Sequence, residues 1–317
     1  MPSTPSMIDR IVILGPTAGG KSEIALLLAE RLRDSAEVIG ADSRQIYRGL
    51  EVGTAAPSTA DRARAPHHLA SFLPPDEVYS AGRYARDAKH AIGDVEARGK
   101  SPVIVGGSGL YLRALLDGLF AGPERDEGIR AGLKARLEAD GLDALRADLG
   151  HVDPVALASI LPGDSTRVIR ALEVHALTGR PISELRREHR NEPTRAARFG
   201  IRWARPALAA RIEARIRQQL EDGFLEEARA LLGSDLKPGA PGLHTLGYRE
   251  LLAHLKGESS LEDAVATIAL RTRQLAKRQE TWFRRVAKVR WFTLTSIEAF
   301  PAIAAAIERE APSRIRP

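Results

Sequence analysis

Four apolar residues in a row, Ile11-Val12-Ile13-Leu14, open the first readable unit of the chain. A glycine-rich turn follows, and apolar positions then recur at helical spacing from about Lys21 to Arg33. The alternation continues. Glu37 to Ala41 predicts a second strand, ending at Asp42, and about Ala81 to Arg98 predicts a helix. Pro102 to Val105 predicts a third strand, which runs into Gly106-Gly107-Ser108-Gly109 and an amphipathic helix over Leu110 to Leu116. Short apolar strands alternating with helices predict an α/β fold, a parallel sheet covered on both faces.

From about Asp126 to Glu188 only helical patterns occur, cut at Gly141, Gly150, Pro154, Pro162-Gly163 and Gly179-Arg180-Pro181. This predicts an all-helical insertion of roughly four short helices, with Asn191-Glu192-Pro193-Thr194 as its exit. A strand pattern returns at Phe199 to Arg205. Pro206 suits the first turn of the next helix, which is expected to carry Arg211, Arg215 and Phe224. A Gly/Pro loop over Lys237 to Gly242 precedes one long helix, about Leu261 to Lys288, and a last strand, Val289 to Leu294. The expected organisation is a core of residues 7–120 and 198–300, a helical insertion of 121–197, and tails at 1–6 and 301–317.

Composition narrows the chemistry. At 317 residues the chain is long enough to bury a core without staples. It contains no Cys, which excludes a disulfide scaffold, a thiolate zinc site and a Cys nucleophile. No apolar run approaches ~18 residues, and the start has no apolar signal segment, so no membrane association and a cytoplasmic location are expected. Lys and Arg number 47 against 41 Asp and Glu, a net +6, which by itself argues only weakly for an anionic partner.

Gly15-Pro16-Thr17-Ala18-Gly19-Gly20-Lys21-Ser22 fits G-x-x-x-x-G-K-[ST], between a predicted strand and a predicted helix. Glycines let successive backbone N–H groups turn onto a phosphate, and the helix dipole adds positive potential. Lys21 supplies a point charge, and the Ser22 hydroxyl suits Mg²⁺. The motif implies a bound di- or triphosphate and leaves open which one.

A motor or switch NTPase adds an apolar strand ending in a metal-holding Asp. Here Val103-Ile104-Val105 ends in glycines. The acid is Asp42, at the end of the second strand, and strand ends in a parallel sheet face the ligand crevice. Asp42 is placed to accept a proton from a nucleophile. An N-cap for a following helix fits the Asp-Ser pair equally well. Small-molecule kinases and group transferases both satisfy this pattern.

The segment Ala41-Asp42-Ser43-Arg44-Gln45-Ile46-Tyr47-Arg48-Gly49-Leu50-Glu51-Val52-Gly53-Thr54-Ala55 resembles one typical of tRNA dimethylallyltransferases. The phosphate loop at 15–22, Pro66-His67-His68-Leu69, Tyr79-Ser80-Ala81 and Val105 to Tyr111 resemble the same family, as do Asp164 to Glu173, Gly247-Tyr248-Arg249-Glu250, and Thr272 to Gln279 with Trp282. The resemblance runs in order over about 11–291. It is most specific at 42–55 and 273–282. Gly19 stands where the family more often has Ser, Ala56 where it often has Lys, and Leu243-His244-Thr245-Leu246 where Gln-Ala-Ile is commoner.

The resemblance implies a P-loop NTPase-like sheet with a helical insertion that grips the anticodon stem. It implies transfer of a dimethylallyl group from its diphosphate to the exocyclic amine of the adenosine 3′ to the tRNA anticodon, with Mg²⁺. The loop Gly15 to Ser22 then holds diphosphate rather than ATP. By motif match Asp42 is the general base, Thr17 reaches the bridging oxygen of the leaving group, and Arg215 stabilises the diphosphate. Asp42, Ser43, Arg44 and Gln45 match tRNA-contacting segments. So do Thr166, Arg167, Val168, Ile169 and Arg170, then His244, Thr245, Leu246, Gly247, Tyr248 and Arg249, and last Lys277, Arg278, Gln279 and Arg284. Ser108 and Arg130 match two further positions near the tRNA.

Elementary chemistry agrees. The adenine amine is a poor nucleophile and needs a carboxylate to take its proton. Cleavage of the allylic C–O bond loads charge on diphosphate, which fixed cations stabilise. The target base must leave its stack, and a single-stranded loop makes that inexpensive. Arg271, Arg273, Lys277, Arg278, Arg284, Arg285 and Lys288 cluster with only Glu280 opposing, which fits phosphate contact. Leu275, Trp282, Val286 and Val289 are expected to face the core. His67 and His68 are expected to be structural. The rival readings are a small-molecule P-loop kinase, an adenylate isopentenyltransferase acting on free AMP, and a plain tRNA-binding protein. No protein partner is implied, and a monomer is expected.

Overall fold

The computed structural model describes residues 10–33, 35–118, 122, 123, 125–188 and 194–310. The expected N-terminal tail, His189, residues 191–193 of the expected exit and the end of the expected C-terminal tail, 311–317, lie outside them.

The chain divides into two compact units, one of residues 1–117 with 193–317 and one of 118–192. The first begins with β1 (Ile11–Leu14), α1 (Lys21–Arg31), β2 (Ala36–Gly40), α2 (Glu51–Thr54), α3 (Thr59–Arg64) and β3 (His67–His68). It continues with α4 (Ala81–Ala97), β4 (Ser101–Gly106) and α5 (Gly109–Leu116). The second unit consists of α6 (Glu127–Val152), α7 (Pro154–Ser159), α8 (Ser165–Thr178) and α9 (Ile182–Glu188). The first unit resumes with β5 (Ala197–Trp203), α10 (Arg205–Glu221), α11 (Phe224–Leu232), α12 (Tyr248–Leu255), α13 (Leu261–Phe283), β6 (Val289–Leu294) and α14 (Phe300–Glu310).

Six parallel strands make one sheet in the order β3-β2-β4-β1-β5-β6. Ile11 is paired with Val103 on one side and Ala197 on the other, so β1 is central. Every residue of β1 and β4 is buried, as expected for strands covered on both faces. The strand β6 at the edge is largely half-buried or exposed. This is the P-loop NTPase-like sheet anticipated from the resemblance. The order in which strands are added switches sides at β1, because β2, β3 and β4 lie on one side of it and β5 and β6 on the other. Such a switch point places a crevice at the carboxyl ends of the central strands.

Several boundaries differ from expectation. Residues 301–310 are not a tail. They continue α14, whose Phe300, Ile303, Ala304 and Ile307 are buried and whose Glu308 accepts from Arg31 of α1 at 2.6 Å. Phe224 is not on the helix of Arg211 and Arg215, because Gly223 (φ 101°) ends that segment and Phe224 starts α11. The long helix stops at Phe283. Arg284 to Lys288 turn the chain into β6, with Lys288 at φ 57°. The helical unit ends by Glu192. Thr194 already donates from its N–H to Leu116 O (2.7 Å) and from its hydroxyl to Leu115 O (3.1 Å), which ties 194–197 to the sheet unit.

The helical unit has its own core, including Leu145, Leu149, Val168, Ile169 and Val174. Gly141 (φ 81°, ψ 171°) breaks α6 as expected, whereas Gly150 is accommodated within it. Asp153 is buried, caps α7 through the Ala156 N–H (2.8 Å) and accepts from the Ser183 N–H (2.9 Å).

Candidate active site

Ala41 and Asp42 follow β2 directly. Ala41 N–H donates to Val105 O at 2.7 Å, and Ser108 N–H donates to Ala41 O at 3.1 Å. A Cβ on Gly106 would overlap the Ala41 carbonyl, so only glycine lets the two strand ends meet this closely. Ser108 Oγ then accepts from Ser43 N–H at 2.8 Å. The first α5 turn therefore holds the segment that carries Asp42. No helix follows Asp42. Its Oδ1 accepts from Arg44 N–H at 2.9 Å, a local side-chain turn rather than a helix cap.

Asp42 faces a cleft of about 650 Å³ bordered by Lys21, Thr54, Gly106, Arg215 and Gln219. Of the eight loop residues, Thr17 to Ser22 border this cleft, while Gly15 and Pro16 are buried behind it. Lys21 starts α1 and borders the cleft, so the positive end of the helix dipole lies at that space, while the Gly19 N–H is taken by Pro16 O at 3.2 Å. Lys21 Nζ donates to Pro16 O at 2.7 Å. Burial lowers its pKa to about 8, a drop that the Asp42 charge opposes and Arg215 assists. Burial also pulls the Arg215 guanidinium below its usual range, again opposed by Asp42. Lys21 and Arg215, two desolvated cations, thus share with Asp42 a cleft that Arg211, Glu23, Glu51 and Asp222 also border, and an anion seated beside the two cations would offset their loss of water. Arg215 also donates to Thr54 O at 3.2 Å, and Gln45 Nε2 donates to Ala55 O at 2.6 Å, which fixes the opposite wall.

That wall has supports that sequence reasoning missed. Gln219 is buried and donates to Val52 O (2.7 Å) and Gly53 O (3.0 Å). Glu227 accepts from the Val52 and Gly53 N–H groups (3.1 and 3.0 Å) and from the Tyr248 hydroxyl. Tyr248 is fully buried and its hydroxyl also accepts from the Gly53 N–H at 3.0 Å, while Thr245 and Gly247 are buried nearby in sequence. His244 and Arg249 are exposed, and Leu246 packs half-buried against the core.

Gln279 was expected at the RNA. Its side chain is instead engaged inside the site, accepting from Thr17 N–H at 2.7 Å and donating to Gly107 O at 2.9 Å. A Cβ on Gly109 would overlap the Trp282 ring, so the glycines after β4 make room for α13. Lys277 and Arg278 are exposed on α13, and Arg284 is exposed just past it. Arg271 and Arg273 are occupied within the fold by Glu250 and Glu213, two acids that the local charge count overlooked.

The other expected RNA positions lie in the helical unit. Thr166 and Arg167 are exposed, with Arg167 paired to Asp164. Val168 and Ile169 are core residues of that unit, a correction to their expected contact role. Arg130 and Arg170 are anchored on the buried Glu173 at 3.1 and 2.9 Å. Burial alone would raise the Glu173 carboxyl, but the two arginines hold it below its usual range. His67 and His68 form β3 and bond Ala65 O and Glu37. Burial would raise Glu37 as well, yet bonds from His68, Arg98 and Lys100 hold it at about 2.

The family model described as IPP transferase matches residues 45–286. The chain is 44% identical over 283 residues to a tRNA dimethylallyltransferase of Geobacter metallireducens, covering 89% of this chain and 91% of that one. It is 46% identical over 273 residues to that of Phenylobacterium zucineum, covering 86% and 88%. Among solved structures it is similar to the full-length tRNA isopentenylpyrophosphate transferase of Bacillus halodurans (TM-score 0.68, 34% identity, 96% of this chain and 97% of that one). It is also similar to a eukaryotic dimethylallyltransferase acting on tRNA (TM-score 0.80, 27% identity, 95% and 78%). With the phosphate loop and the strand-end acid brought to one cleft, and with relatives that match along most of its length, this chain belongs to the IPP transferase family.

Proposed function

We propose that this chain transfers a dimethylallyl group from dimethylallyl diphosphate to the exocyclic N6 amine of the adenosine 3′ to the anticodon in tRNA, releasing diphosphate. The observation that carries the reading is the shared cleft of Asp42, Lys21 and Arg215. Asp42 borders the same cleft as the phosphate loop, and its carboxylate takes the amine proton as the nitrogen attacks the allylic carbon. Arg215, Lys21 and the loop N–H groups hold the departing diphosphate, whose charge grows as the C–O bond breaks. Thr17, at the lip of the loop, is assigned to the bridging oxygen.

Mg²⁺ belongs to this proposal. Among the described residues no group of three or more His, Asp or Glu side chains could hold a metal. The exposed Ser22 hydroxyl at the cleft edge fits an ion held mostly by diphosphate oxygens and water. Bound there, Mg²⁺ would offset charge on the leaving group. A monomer remains part of the reading, resting on the lack of a self-complementary apolar face in the sequence.

The test is radiolabelled dimethylallyl diphosphate with Mg²⁺ and unmodified tRNA, run beside free AMP and an ATP-only control. Label in a tRNA with adenosine after the anticodon supports the proposal. Label in AMP alone would assign the chain to free-nucleotide chemistry, and ATP consumption without transfer would favour a kinase.

Two smaller predictions arise here. Without RNA nothing accepts the prenyl group, so the Kd for dimethylallyl diphosphate can be measured against pH. Lys21 is charged below its pKa of about 8 and neutral above it. Affinity should be level at lower pH and weaken as pH rises through that value, with proton uptake on binding above it. A Lys21→Met variant should lose this dependence. A level profile in the unaltered protein would remove Lys21 from the anion site. The Lys277→Ala/Arg278→Ala double variant should weaken tRNA binding and flatten log Kd against log salt by ~0.7–0.9 per lost contact. An unaltered slope would place that face of α13 away from RNA.

A further inference from the structure

A loop that turns its N–H groups inward onto an anion must turn carbonyls outward, and those need donors of their own. Here Ala18 O accepts from Arg211 Nε at 2.9 Å, and Gly19 O accepts from the buried Trp203 Nε1–H at 3.0 Å. The Arg211 guanidinium carbon lies 4.5 Å from the Trp203 ring centroid and 5.6 Å from that of Phe300. The two rings meet edge-on at 6.2 Å. Phe300 fills the space beside Gly20, where any Cβ would overlap its ring. Ala18 holds φ 58°, a left-handed conformation that a non-glycine residue keeps only when its surroundings impose it.

Arg211 and Arg215 sit one turn apart on α10 yet meet different partners. Arg215 shares the electrostatics of Asp42 and Lys21. Arg211 also borders the cleft, but its Nε is committed to the loop backbone. Phe300 comes from α14, beyond the residues 45–286 matched by the family model.

We propose that Trp203, Arg211 and Phe300 form a positioning cradle for the phosphate loop. Arg211 acts through the Ala18 carbonyl rather than on the reacting atoms, and α14 is thereby part of the diphosphate site. This rests on the reading of the loop as a diphosphate site.

The test uses the full chain and calorimetry with inorganic pyrophosphate on the unaltered protein, Arg211→Ala, Arg211→Lys and Phe300→Leu. Both Arg211 variants should bind about 10- to 100-fold more weakly, because lysine lacks the planar fork that stacks and donates at once. Phe300→Leu, which keeps most of the apolar volume, should lose about three- to tenfold through the missing ring contact. KM for dimethylallyl diphosphate should rise by the same factors with kcat changed far less. tRNA affinity and melting temperature should be nearly unmoved, and amide exchange over residues 15–20 should speed up. Unaltered pyrophosphate binding in all three variants would overturn the cradle while leaving the diphosphate reading intact. So would a fall in kcat with binding unchanged, which would put Arg211 on the reacting atoms. Parallel loss of tRNA affinity and melting temperature in Phe300→Leu and Arg211→Lys would reduce the cradle to general stability and overturn it too. If the unaltered protein binds neither pyrophosphate nor dimethylallyl diphosphate, the diphosphate reading fails and the cradle fails with it.

Discussion

Asp42→Asn should lower single-turnover transfer by about 10²–10⁴-fold, the range expected for loss of a positioned general base. Asparagine keeps an oxygen for the Arg44 N–H, so the local turn and the Ser43–Ser108 contact should persist. tRNA affinity should then stay within a few-fold. A second signature separates loss of a base from a distorted site. Asp42 raises the Lys21 pKa, so its removal should shift the pH above which diphosphate binding weakens to below about 8. Below that shifted value, binding should tighten, because Lys21 and Arg215 lose the Asp42 charge that stabilises them in the empty cleft. Turnover equal to that of the unaltered enzyme would take Asp42 out of the chemistry.

Arg215→Ala should cost about 10²–10³-fold in kcat, comparable to deleting one donor from a site that stabilises developing negative charge. The mechanism predicts where the loss appears. A donor used mainly as the C–O bond breaks lowers kcat more than it raises KM for the diphosphate. Arg215 also lowers the Lys21 pKa, so the pH profile of diphosphate binding should move upward, opposite to that of the Asp42 variant. Thr54 O loses its Arg215 partner as well, at a cost of about 1 kcal/mol in stability. A raised KM with kcat intact would make Arg215 a ground-state anchor. Opposite pH shifts from two neighbours, read in one titration, would tie the electrostatics to these residues.

Much of this was legible because it is local. The β1–loop–α1 unit is contiguous, and its apolar run, glycines and lysine declare strand, turn and helix together. The β6 strand was placed residue for residue, since a six-residue β-branched and aromatic stretch after a basic helix has few other uses. The α14 helix was readable but overlooked. Phe300, Ile303, Ala304 and Ile307 follow helical spacing, although residues 301–317 are expected above to be a tail. What could not be read was distant. Trp203 and Gly19 are 184 residues apart, and Gln279 and Thr17 are 262 apart. Periodicity marks Trp203 as core, which it is, but cannot show that its indole N–H supports a loop carbonyl. Carrying family segments across as blocks also blurred faces. A helix running through Thr166 to Arg170 turns Thr166 and Arg167 outward and necessarily buries Val168 and Ile169. Asp42 shows the converse, because its two readings, proton acceptor and helix cap, fit the same residues, and only the fold shows that no helix follows it directly.

The Gln279 amide, which ties Thr17 to Gly107, has a consequence for biosynthesis. Thr17 leaves the ribosome 262 residues before Gln279, and at ~5–20 residues per second that partner follows only after on the order of tens of seconds. Until then the Thr17 N–H and Gly107 carbonyl lack the partner they have in the finished fold. Pulse proteolysis of ribosome-stalled chains should show a nascent loop that stays cleavable until α13 is made. The loop thus matures only once α13 has been made, and a chain that stops short of α13 carries it without its finished support.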